Sequence, residues 1–436
     1  MSAINTKHYM VYASNADDFL ELAPKHWQVW RLKDKATFNP SKSEIKNLPE
    51  VCTFAPMEKL KTDSLITDAI TIVSETSGSY TYFKEEDILI AKVTPCFENR
   101  NIAIAKNLTN GIGFGSSEIN VVRVSKKANR RWFFYLLLSS EFIETGASKM
   151  AGAGGLKRIP SLFLETFSFA LPPISEQTAI VSYLDTKTAQ IDRKIDLLNQ
   201  KTIQYAQLKK SLINETVTRG LNKSALMKDS GVLWIGKVPE HWKVTAVTNI
   251  TETVSQKNYP NEELLSVYRD YGVIIKSSRD DNNNKAGSDL SNYKLVEPGF
   301  LVINKMKAWQ GSLGVSEFRG IVSPAYITCM TNKKIVDRGY LHHLLRSRNY
   351  INEYNRLSYG VRVDQWDMRY DDFKYVPVLL PPMTEQIAIA AYLDTKIPQI
   401  DHIITTINNQ IDQLKELRKV LINDVVTGKI KVIDQG

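Results

Sequence analysis

The clearest hydrophobic pattern of the chain is a stripe of apolar residues near its C-terminus. The stripe contains Ile400, Ile404, Ile407, Ile411, Leu414, Leu421 and Val425. Successive members are four, three or seven residues apart. This is the heptad pattern of a helix that packs against a second helix. A weaker stripe earlier in the chain contains Ile191, Ile195, Leu198, Tyr205 and Leu212. We therefore predict two long helices, over residues 189–218 and 398–427, that pair with each other; the alternative is that each stripe packs only on its own globular body.

The two stripes belong to a segment that the chain contains twice. Residues 171–220 and residues 380–429 align without a gap and are identical at 25 of 50 positions. Both copies open with Leu-Pro-Pro, which resists helix, so we predict Ser175 and Thr384 as N-caps of a short helix. Pro398 predicts a break before the long helix. A repeat of about half the chain length indicates an internal duplication.

A second repeated phrase shows that the duplication begins before the helices. Pro-x-His-Trp-x-Val occurs at residues 24–29 and again at residues 239–244. A metal or catalytic role for His26 and His241 is an alternative, but a His-Trp pair at the start of a domain is typical of packing, which we expect here. The stretches that follow, up to the Leu-Pro-Pro steps, span 144 and 138 residues, so two bodies of similar size are predicted.

Between the repeated phrases, short apolar runs predict strands, and one longer amphipathic run in each body predicts a helix. In the first body, strands are predicted over residues 69–73, 88–92 and 119–124, and a helix over residues 131–145. In the second body, strands are predicted over residues 300–304 and 326–330, and a helix over residues 338–356. The order of elements matches, so the sequence predicts two α+β domains of one fold that carry different loops.

Composition bounds the class of protein. The chain has 436 residues, of which 43% are hydrophobic, which is typical of two or three globular domains. Lysine and arginine (56) exceed aspartate and glutamate (47), and the net charge of +9 favours a polyanionic partner. Cys52, Cys96 and Cys329 form no Cys-x-x-Cys pair, so neither a zinc site nor a disulfide framework is indicated. Because no signal sequence and no apolar run of membrane-spanning length occurs, we expect a soluble, cytoplasmic protein.

Loops that carry methyl transfer or nucleotide hydrolysis are missing from the sequence. An adenine methyltransferase needs an Asn/Asp-Pro-Pro-aromatic loop, and the nearest match, which starts at Asn39, continues with Pro-Ser. The phosphate-binding Gly-x-x-x-x-Gly-Lys-Ser/Thr loop does not occur, and the glycines within residues 111–115 fit an ordinary turn. Asp-x-Lys at Asp185, Asp192 and Asp394 is typical of solvated helix faces. We therefore predict no catalytic and no metal-binding residues in this chain.

In combination, the repeated phrases resemble those of the specificity subunit of type I restriction-modification enzymes. The phrases are Pro-x-His-Trp, Leu-Pro-Pro-x-x-Glu-Gln-x-Ala-Ile-x-x-Tyr-Leu-Asp-x-Lys and Leu-Ile-Asn-x-x-Val-Thr, each present twice, and they extend over nearly the whole chain. The resemblance implies an α+β fold with two target recognition domains in internal pseudo-repeat, separated by two long, antiparallel coiled-coil helices. It also implies a non-catalytic chain that recognises a bipartite, asymmetric DNA site and positions two adenine-N6 methyltransferase subunits.

The same resemblance implies domain boundaries, partners and cofactors. The expected domains are residues 1–170 (N-terminal arm and first recognition domain), 171–222 (first helical spacer), 223–379 (second recognition domain) and 380–436 (second helical spacer). Double-stranded DNA, two methyltransferase subunits and one or two restriction (translocase-nuclease) subunits are the expected partners. No cofactor is expected in this chain, because S-adenosylmethionine would bind the methyltransferase partner, and ATP and Mg would bind the restriction partner.

Candidate DNA-binding residues are arginine, lysine, asparagine and glutamine on predicted loops, because these side chains contact base edges and phosphates. They are Lys92, Asn99, Arg100, Asn101, Lys157 and Arg158 in the first body, and Arg269, Lys276, Arg279, Lys305, Lys307, Gln310, Arg362 and Gln365 in the second. Tyr359 and Trp309 are candidate stacking or packing partners. The candidate partner-binding residues on the repeated helices are Tyr183 with Asp185, and Tyr392 with Asp394.

Two other functions stay open on the sequence alone. One is an enzyme in its own right, such as a fused nuclease or methylase fragment, which the missing loops disfavour. The other is a structural scaffold without DNA contact, which the basic charge and the two divergent bodies disfavour. Assays of the isolated chain with S-adenosylmethionine and DNA, with and without methyltransferase partners, distinguish the three.

Overall fold

The computed structural model describes residues 20, 23–45, 47, 49–76, 78–152, 155–279, 287, 289–360 and 366–432. The chain divides into two compact units: unit 1 comprises residues 1–198 and 409–436, and unit 2 comprises residues 199–408. Both boundaries fall inside long helices, so each of these helices contributes to both units. The predicted N-terminal arm lies outside the described residues up to residue 19. Among the described residues, no helix is long and apolar enough to cross a membrane.

Unit 1 contains short strands and helices connected by loops. Its strands are β1 (Gln28–Arg31), β2 (Ala36–Phe38), β3 (Val51–Ala55), β4 (Leu60–Lys61), β5 (Ser64–Leu65), β6 (Ile70–Ile72), β7 (Thr81–Lys84), β8 (Ile88–Ala91), β9 (Ile102–Ile104), β10 (Ile112–Gly115), β11 (Ile119–Val124) and β12 (Ser168–Leu171). Its helices are α1 (Val73–Thr76), α2 (Arg130–Leu138), α3 (Ser140–Ser148), α4 (Ser161–Thr166) and the first part of the long helix α5 (Ile174–Arg219).

Unit 2 follows with a similar composition of elements. Its strands are β13 (Met227–Asp229), β14 (Lys237–Pro239), β15 (Lys243–Ala246), β16 (Thr251–Thr253), β17 (Leu265–Tyr268), β18 (Gly272–Ile275), β19 (Lys294–Val296), β20 (Phe300–Ile303), β21 (Leu313–Val315), β22 (Gly320–Val322), β23 (Ile327–Thr331), β24 (Ser358–Tyr359), β25 (Asp367–Met368) and β26 (Pro377–Leu380). Its helices are α6 (Arg338–Leu345), α7 (Arg348–Leu357), α8 (Tyr370–Phe373) and the first part of the long helix α9 (Met383–Val426).

One antiparallel sheet has the same strand order in both units. It runs β2-β11-β8-β9 in unit 1 and β16-β23-β20-β21 in unit 2. In each unit, the strand after the Pro-x-His-Trp segment also pairs antiparallel with the strand before Leu-Pro-Pro, as β1-β12 and β15-β26. The second sheets differ: unit 1 has β6-β3-β10-β7, with β3 and β10 parallel, whereas unit 2 has the two-stranded pairs β17-β18 and β19-β22. The prediction of two α+β bodies with one fold and different additions is confirmed.

The long helices α5 and α9 pair antiparallel within each unit. In unit 1, Leu184 shares a buried core with Ile422, and eight residues later along α5 the Asp192 carboxylate lies 3.1 Å from Arg418, earlier on α9. In unit 2, the Lys209 ammonium donates to Asp401 over 2.7 Å. The two ion pairs occupy matched positions of the repeat, at an offset of 209 residues. The predicted apolar stripes are buried or half-buried throughout, so the prediction of paired helices is confirmed.

The predicted break at Pro398 is wrong. Proline in a helix interior removes one hydrogen bond and costs roughly 3 kcal/mol, yet α9 is continuous through Pro398. Leu393 and Ile400, on either side, are both buried, and each contributes roughly 1.5–3 kcal/mol by leaving water. Both long helices also begin one residue before the predicted N-caps, so Ser175 and Thr384 lie in the first turn instead of capping it.

The single helix predicted in each body is a pair of helices. In unit 1, α2 ends at Ser139, which has extended backbone and whose hydroxyl accepts a hydrogen bond from the Phe142 N–H at the start of α3. Ser347 separates α6 from α7 at the matched position. The Ser139 hydroxyl competes for a helix-terminal N–H group, which explains the interruption in unit 1, whereas the Ser347 side chain makes no such capping bond.

The predicted strands agree with the structure within one residue at most ends, but the glycine-rich turn at residues 111–115 is wrong. Ile112–Gly115 forms the buried strand β10, between β3 and β7. A Cβ added at Gly113 would lie 2.5 Å from the Phe83 ring, so glycine is needed for close packing of the strand rather than for a turn.

Candidate nucleic-acid interface

Three separate stretches of unit 1 meet at one backbone junction. The Lys92 N–H donates to the Glu118 carbonyl oxygen over 2.9 Å, and the Ile159 N–H donates to the Lys92 carbonyl oxygen over 2.9 Å. The Thr94 N–H donates to the Lys157 carbonyl oxygen over 2.9 Å. The junction therefore brings two of the candidate lysines together from stretches that are distant in sequence.

Arg158 and Glu118 form a two-point ion pair across this junction. Arg158 Nε donates to Glu118 Oε2 and Arg158 Nη2 donates to Oε1, both over 2.8 Å. The hydrogen bonds from Arg158, together with the charge of nearby Lys92, lower the pKa of the Glu118 carboxyl, which is therefore ionised at neutral pH. Three of the six candidates in unit 1 thus lie at one surface with a carboxylate that the sequence analysis did not single out.

The other three candidates of unit 1 lie on the turn between β8 and β9. The Arg100 backbone has a φ of 58°, and its Nη2 donates to the Ser140 hydroxyl at the start of α3 over 2.9 Å. Burial lowers the pKa of the Arg100 guanidinium. The Asn101 N–H donates to the Cys96 carbonyl oxygen, and Asn99 is exposed. Arg100 is thus packed against α3, whereas Asn99 is available at the surface.

Unit 2 repeats one backbone bond of this junction with different side chains. The Met368 N–H donates to the Lys305 carbonyl oxygen over 3.0 Å, which matches the bond that Ile159 makes in unit 1. The Lys305 ammonium donates to the Asp367 carboxylate over 3.0 Å. Asp367 occupies the position matched to Arg158, at the offset of 209 residues. The same backbone arrangement therefore carries a guanidinium in one unit and a carboxylate in the other.

Further basic and aromatic side chains surround Lys305. The Lys294 ammonium donates to the Tyr326 carbonyl oxygen over 2.6 Å, and the Asn304 amide donates to the Tyr326 hydroxyl over 3.3 Å. Burial lowers the pKa of Lys294, and repulsion from Lys257 and Lys305 lowers it further. Three ammonium groups therefore lie within electrostatic reach of one another, which is typical of a surface that binds a polyanion.

A tryptophan pair lies next to this basic cluster. Trp309, on a single helical turn of residues Ala308–Gln310, packs against Trp366 with ring centroids 5.1 Å apart. Lys307 at the start of that turn is exposed, and Gln310 at its end is half-buried. The structure thus places Lys307 and Gln310 on one turn that the tryptophan pair anchors.

Tyr359 has the surroundings of a packing residue. Its hydroxyl donates to Asp372 over 3.2 Å, and the Arg369 guanidinium lies 4.9 Å from the centre of its ring. About half of the Tyr359 side chain is nevertheless exposed. Arg362 and Gln365 lie outside the described residues.

The β17–β18 hairpin and the residues after it carry the remaining candidates, which are Arg269, Lys276 and Arg279. The Arg279 guanidinium lies 4.9 Å from the ring centre of Tyr271 and 5.6 Å from that of Tyr268. Arg269, at the hairpin tip, is exposed and lies 3.4 Å from the Asp270 carboxylate. Arg279 is thus held over aromatic rings, whereas Arg269 projects from the tip.

The candidate partner-binding aspartates both make contacts inside their own units. Asp185 accepts hydrogen bonds from Arg131 Nε over 2.9 Å and from the Tyr135 hydroxyl over 2.5 Å. Asp394 Oδ1 lies 2.8 Å from His343 Nε2, and His343 is the residue matched to Tyr135. Burial raises the pKa of Tyr135 to about 12 and lowers the pKa of His343. Each aspartate therefore joins a long helix to the short helix beside it.

Both aspartates also line a surface cleft. The cleft in unit 1 has a volume of about 640 Å³ and that in unit 2 a volume of about 200 Å³. Arg130 lines the first and its matched residue, Arg338, lines the second. Tyr183 and Tyr392 are half-buried, and each packs partly against the core of its own unit.

A repeated carboxylate binds the Pro-x-His-Trp segment to the start of each long helix. In unit 2, Glu385 Oε2 accepts a hydrogen bond from Trp242 Nε1 over 3.1 Å and lies 2.7 Å from His241 Nε2. In unit 1, Glu176 makes the same contacts with His26 and the adjacent tryptophan. In the part of the chain that the structure describes, no cluster of His, Cys, Asp and Glu is arranged to hold a metal ion.

Sequence reasoning missed Glu118, Asp367, Lys294 and Tyr326 as members of these surfaces. Glu118 and Asp367 carry carboxylates, whereas the candidate set contains basic and amide side chains. Lys294 lies at the start of a short strand, which gave it no loop signal. The backbone bond that the two junctions share joins segments that are far apart in sequence. The sequence pattern carries no signal for that pairing.

Comparison with known proteins gives consistent matches along most of the chain. A sequence model of the family described as "Type I restriction modification DNA specificity domain" matches residues 24–205 and 239–413. The EcoAI specificity subunit of Escherichia coli is 31% identical over 228 residues, which are 52% of this chain and 38% of that subunit. The MjaVIII specificity subunit of Methanocaldococcus jannaschii is 23% identical over 399 residues, which are 84% of this chain and 89% of that subunit. The chain thus spans well under half of the Escherichia coli relative.

Solved structures show the same fold. A chain from a study titled "Structural basis underlying complex assembly and conformational transition of the type I R-M system" superposes with a TM-score of 0.69 at 16% identity, over 93% of this chain and 99% of that chain. The HsdS subunit from Thermoanaerobacter tengcongensis superposes with a TM-score of 0.54 at 17% identity, over 93% of this chain and 98% of that chain.

Proposed function

Because this chain belongs to the family of type I restriction-modification DNA specificity domains, we propose that it is the non-catalytic DNA-recognition subunit of such a system. Unit 1 recognises one half of a bipartite, asymmetric DNA site and unit 2 recognises the other half. The DNA-binding surfaces are those around Lys92 and Arg158 in unit 1 and around Lys305 and Lys294 in unit 2.

One observation carries the proposal of two different half-sites. The bonds Ile159 to Lys92 and Met368 to Lys305 are one backbone bond that occurs at matched positions of both units, while the side chains just before Ile159 and Met368 carry opposite charges. Donors and acceptors in a fixed frame are what base-edge recognition requires, because each base pair presents its own donor and acceptor pattern in the major groove. A shared frame with different charges supports recognition of different bases.

The partners in this proposal are double-stranded DNA and two adenine-N6 methyltransferase subunits, with one or two restriction subunits as further partners. Two identical methyltransferase subunits need a surface that is present twice. The duplicated helices, with Tyr183 and Asp185 in one copy and Tyr392 and Asp394 in the other, supply such a surface. S-adenosylmethionine would bind the methyltransferase subunits, and ATP and Mg the restriction subunits.

The experiment compares adenine methylation across the genome of cells with the intact locus and of cells in which only this chain is deleted. We expect one bipartite motif to be methylated in the first strain and unmethylated in the second. The purified chain alone, with S-adenosylmethionine and DNA, should transfer no methyl group. A motif that persists after the deletion, or methyl transfer by the isolated chain, would contradict the proposal.

Docking of the partners is tested by the number of methyltransferase subunits bound. Changing Tyr392→Ala together with Asp394→Asn should remove one bound subunit, and the matched change of Tyr183 with Asp185 should remove the other. Native mass spectrometry of the reconstituted complex gives this count directly. Two bound subunits with unaltered affinity in either variant would show that these residues serve the fold alone.

A further inference from the structure

The Arg158 guanidinium is held along one edge only. Its Nε and Nη2 donate to the two carboxylate oxygens of Glu118, which is the side-on arrangement of an arginine-carboxylate pair. Among the residues that the structure describes, Nη1 has no hydrogen-bond partner. The end edge of the group, formed by Nη1 and the second N–H of Nη2, is therefore left to donate elsewhere. Two parallel donors on that edge match the two acceptors of a guanine edge, N7 and O6.

The backbone beneath this pair is fixed on both sides. The Arg158 N–H donates to the Ala151 carbonyl oxygen over 2.9 Å, and the Ala151 N–H donates back to the Arg158 carbonyl oxygen over 3.1 Å. Ile159, the next residue, is buried and bonded to Lys92. Glu118 is held through its carbonyl oxygen by the Lys92 N–H. Arginine and carboxylate thus project from one rigid frame, while about half of the Arg158 side chain remains exposed.

We propose that Arg158 recognises a guanine in the half-site of unit 1, and that Glu118 is the positioning residue that orients its guanidinium for this contact. The inference rests on the proposed function and deepens it by naming a base and a specificity-determining pair. Because the ion pair already restricts the Arg158 side chain, less conformational entropy is lost when the side chain binds a base. Glu118 keeps the side edge occupied, so the end edge faces the base.

The matched position of unit 2 has no such group. Asp367 pairs with Lys305 through Oδ2, and its Oδ1 is buried, so the pair presents an ammonium instead of a planar fork. A lysine donates as a point charge and lacks the two parallel donors that match a guanine edge. The two half-sites should therefore differ at the base that contacts this position, with guanine required by unit 1 only.

Two conservative variants of the full chain test the pair. Each is expressed in place of the parent chain, from a locus that is otherwise intact. Arg158→Lys keeps the positive charge and loses the fork, and Glu118→Gln keeps the shape and loses one of the two acceptors. We expect both variants to relax the methylated motif at the same single position, which is guanine in the parent motif, with discrimination there reduced roughly tenfold or more. The other half-site in the same motif is an internal control, because a chain that fails to fold would lose both halves.

Duplexes with modified bases separate a base contact from a phosphate contact. Replacing that guanine with 7-deazaguanine removes the N7 acceptor, so binding by the reconstituted parent complex should weaken, whereas binding by the Arg158→Lys complex should change little. Glu58→Gln removes one exposed carboxylate from the same unit and is the charge-matched control, with an unchanged motif expected.

The outcomes distinguish this inference from the proposed function. If deletion of the chain leaves the motif intact, the proposed function fails. If the chain sets the motif but Arg158→Lys changes no position, or changes one that is not guanine, the inference fails alone. If Arg158→Lys relaxes the guanine and Glu118→Gln does not, Glu118 is not a positioning residue.

Discussion

Units 1 and 2 place opposite charges on the same backbone frame. In unit 1 the matched position is Arg158, bonded to Glu118, and in unit 2 it is Asp367, bonded to Lys305. The frame itself is made of main-chain hydrogen bonds, which do not depend on the side chain. Side chains at the junction can therefore change without loss of the fold, which is the property that a recognition surface needs if its two copies are to recognise different sequences.

A second comparison shows what has stayed the same. Glu176 and Glu385 bind the His-Trp segment of their units through nearly identical distances. Gln177 and Gln386 likewise accept a hydrogen bond from the N-cap residue of α2 and α6, respectively. The repeated helical phrases thus supply the same contacts to both units, whereas the second sheets and the side chains at the junctions differ.

The largest expected effect tests whether the two long helices have equal roles. Leu184 and Leu393 are matched and fully buried, one in each core. Leu184→Ala and Leu393→Ala should each destabilise the surrounding unit by about 2–5 kcal/mol, because a cavity replaces packed side-chain atoms. Hydrogen exchange resolved along the chain should show faster exchange in α2 for the first variant and in α6 for the second. Ile203→Ala, at an exposed position of α5, is the control, and a large effect of only one leucine would break the equivalence.

A smaller effect is expected from the carboxylate that binds the His-Trp segment. Glu385→Ala removes the acceptor of the buried Trp242 N–H and should cost roughly 1–3 kcal/mol, since a buried donor would be left unsatisfied. Glu385→Gln retains an acceptor oxygen and should cost less. Urea unfolding of the three chains measures this order. Equal stability of Glu385→Ala and the parent chain would show that the contact contributes nothing.

An effect of similar size is expected from a pH dependence that only unit 2 should show. His342 replaces Phe134 of unit 1, and burial, with the nearby charges of Arg346 and His343, lowers its pKa to about 3. Because the unfolded chain binds a proton near pH 6.5 and the folded chain does not, stability falls as the pH decreases below that value. Between pH 7 and pH 5 the loss should be about 2 kcal/mol.

Urea unfolding at the two pH values measures the loss, and the non-titrating variants His342→Phe and His342→Gln should reduce it. If the pH dependence in both variants were as large as in the parent chain, other titrating groups would be its cause. The His342 hydrogen bonds agree with a neutral ring, since Val315 supplies a carbonyl oxygen at Nδ1 and Arg346 supplies a donor at Nε2.

Much of the fold could be predicted from the sequence, because the duplication and the heptad stripes are local patterns. The strand over residues 119–124 lies where the pattern places it, and the two predicted long helices do pair, although each is continuous with the short helix predicted before it. The predictions failed where local propensity competed with tertiary packing. Pro398 stays helical because its neighbours are buried, and Ser139 ends a helix whose apolar pattern continues.

The candidate interface could be predicted only in part. The sequence predicts basic residues on loops as candidates from their residue type alone, and the structure brings Lys92, Lys157 and Arg158 together. The charge pairs were not recognised, because Glu118 and Arg158 are 40 residues apart in sequence and their contact depends on the sheet register. Arg362 and Gln365 remain predictions outside the described residues.

The most direct test of the central claim is the methylated motif of two single variants, Arg158→Ala and Lys305→Ala. Each variant is expressed in place of the parent chain, from a locus that is otherwise intact. Each variant should relax or lose one half of the motif, a different half in each case, and leave the other half as in the parent. A change that affects both halves equally in either variant, or the same half in both, would contradict the account of two units that recognise separate half-sites.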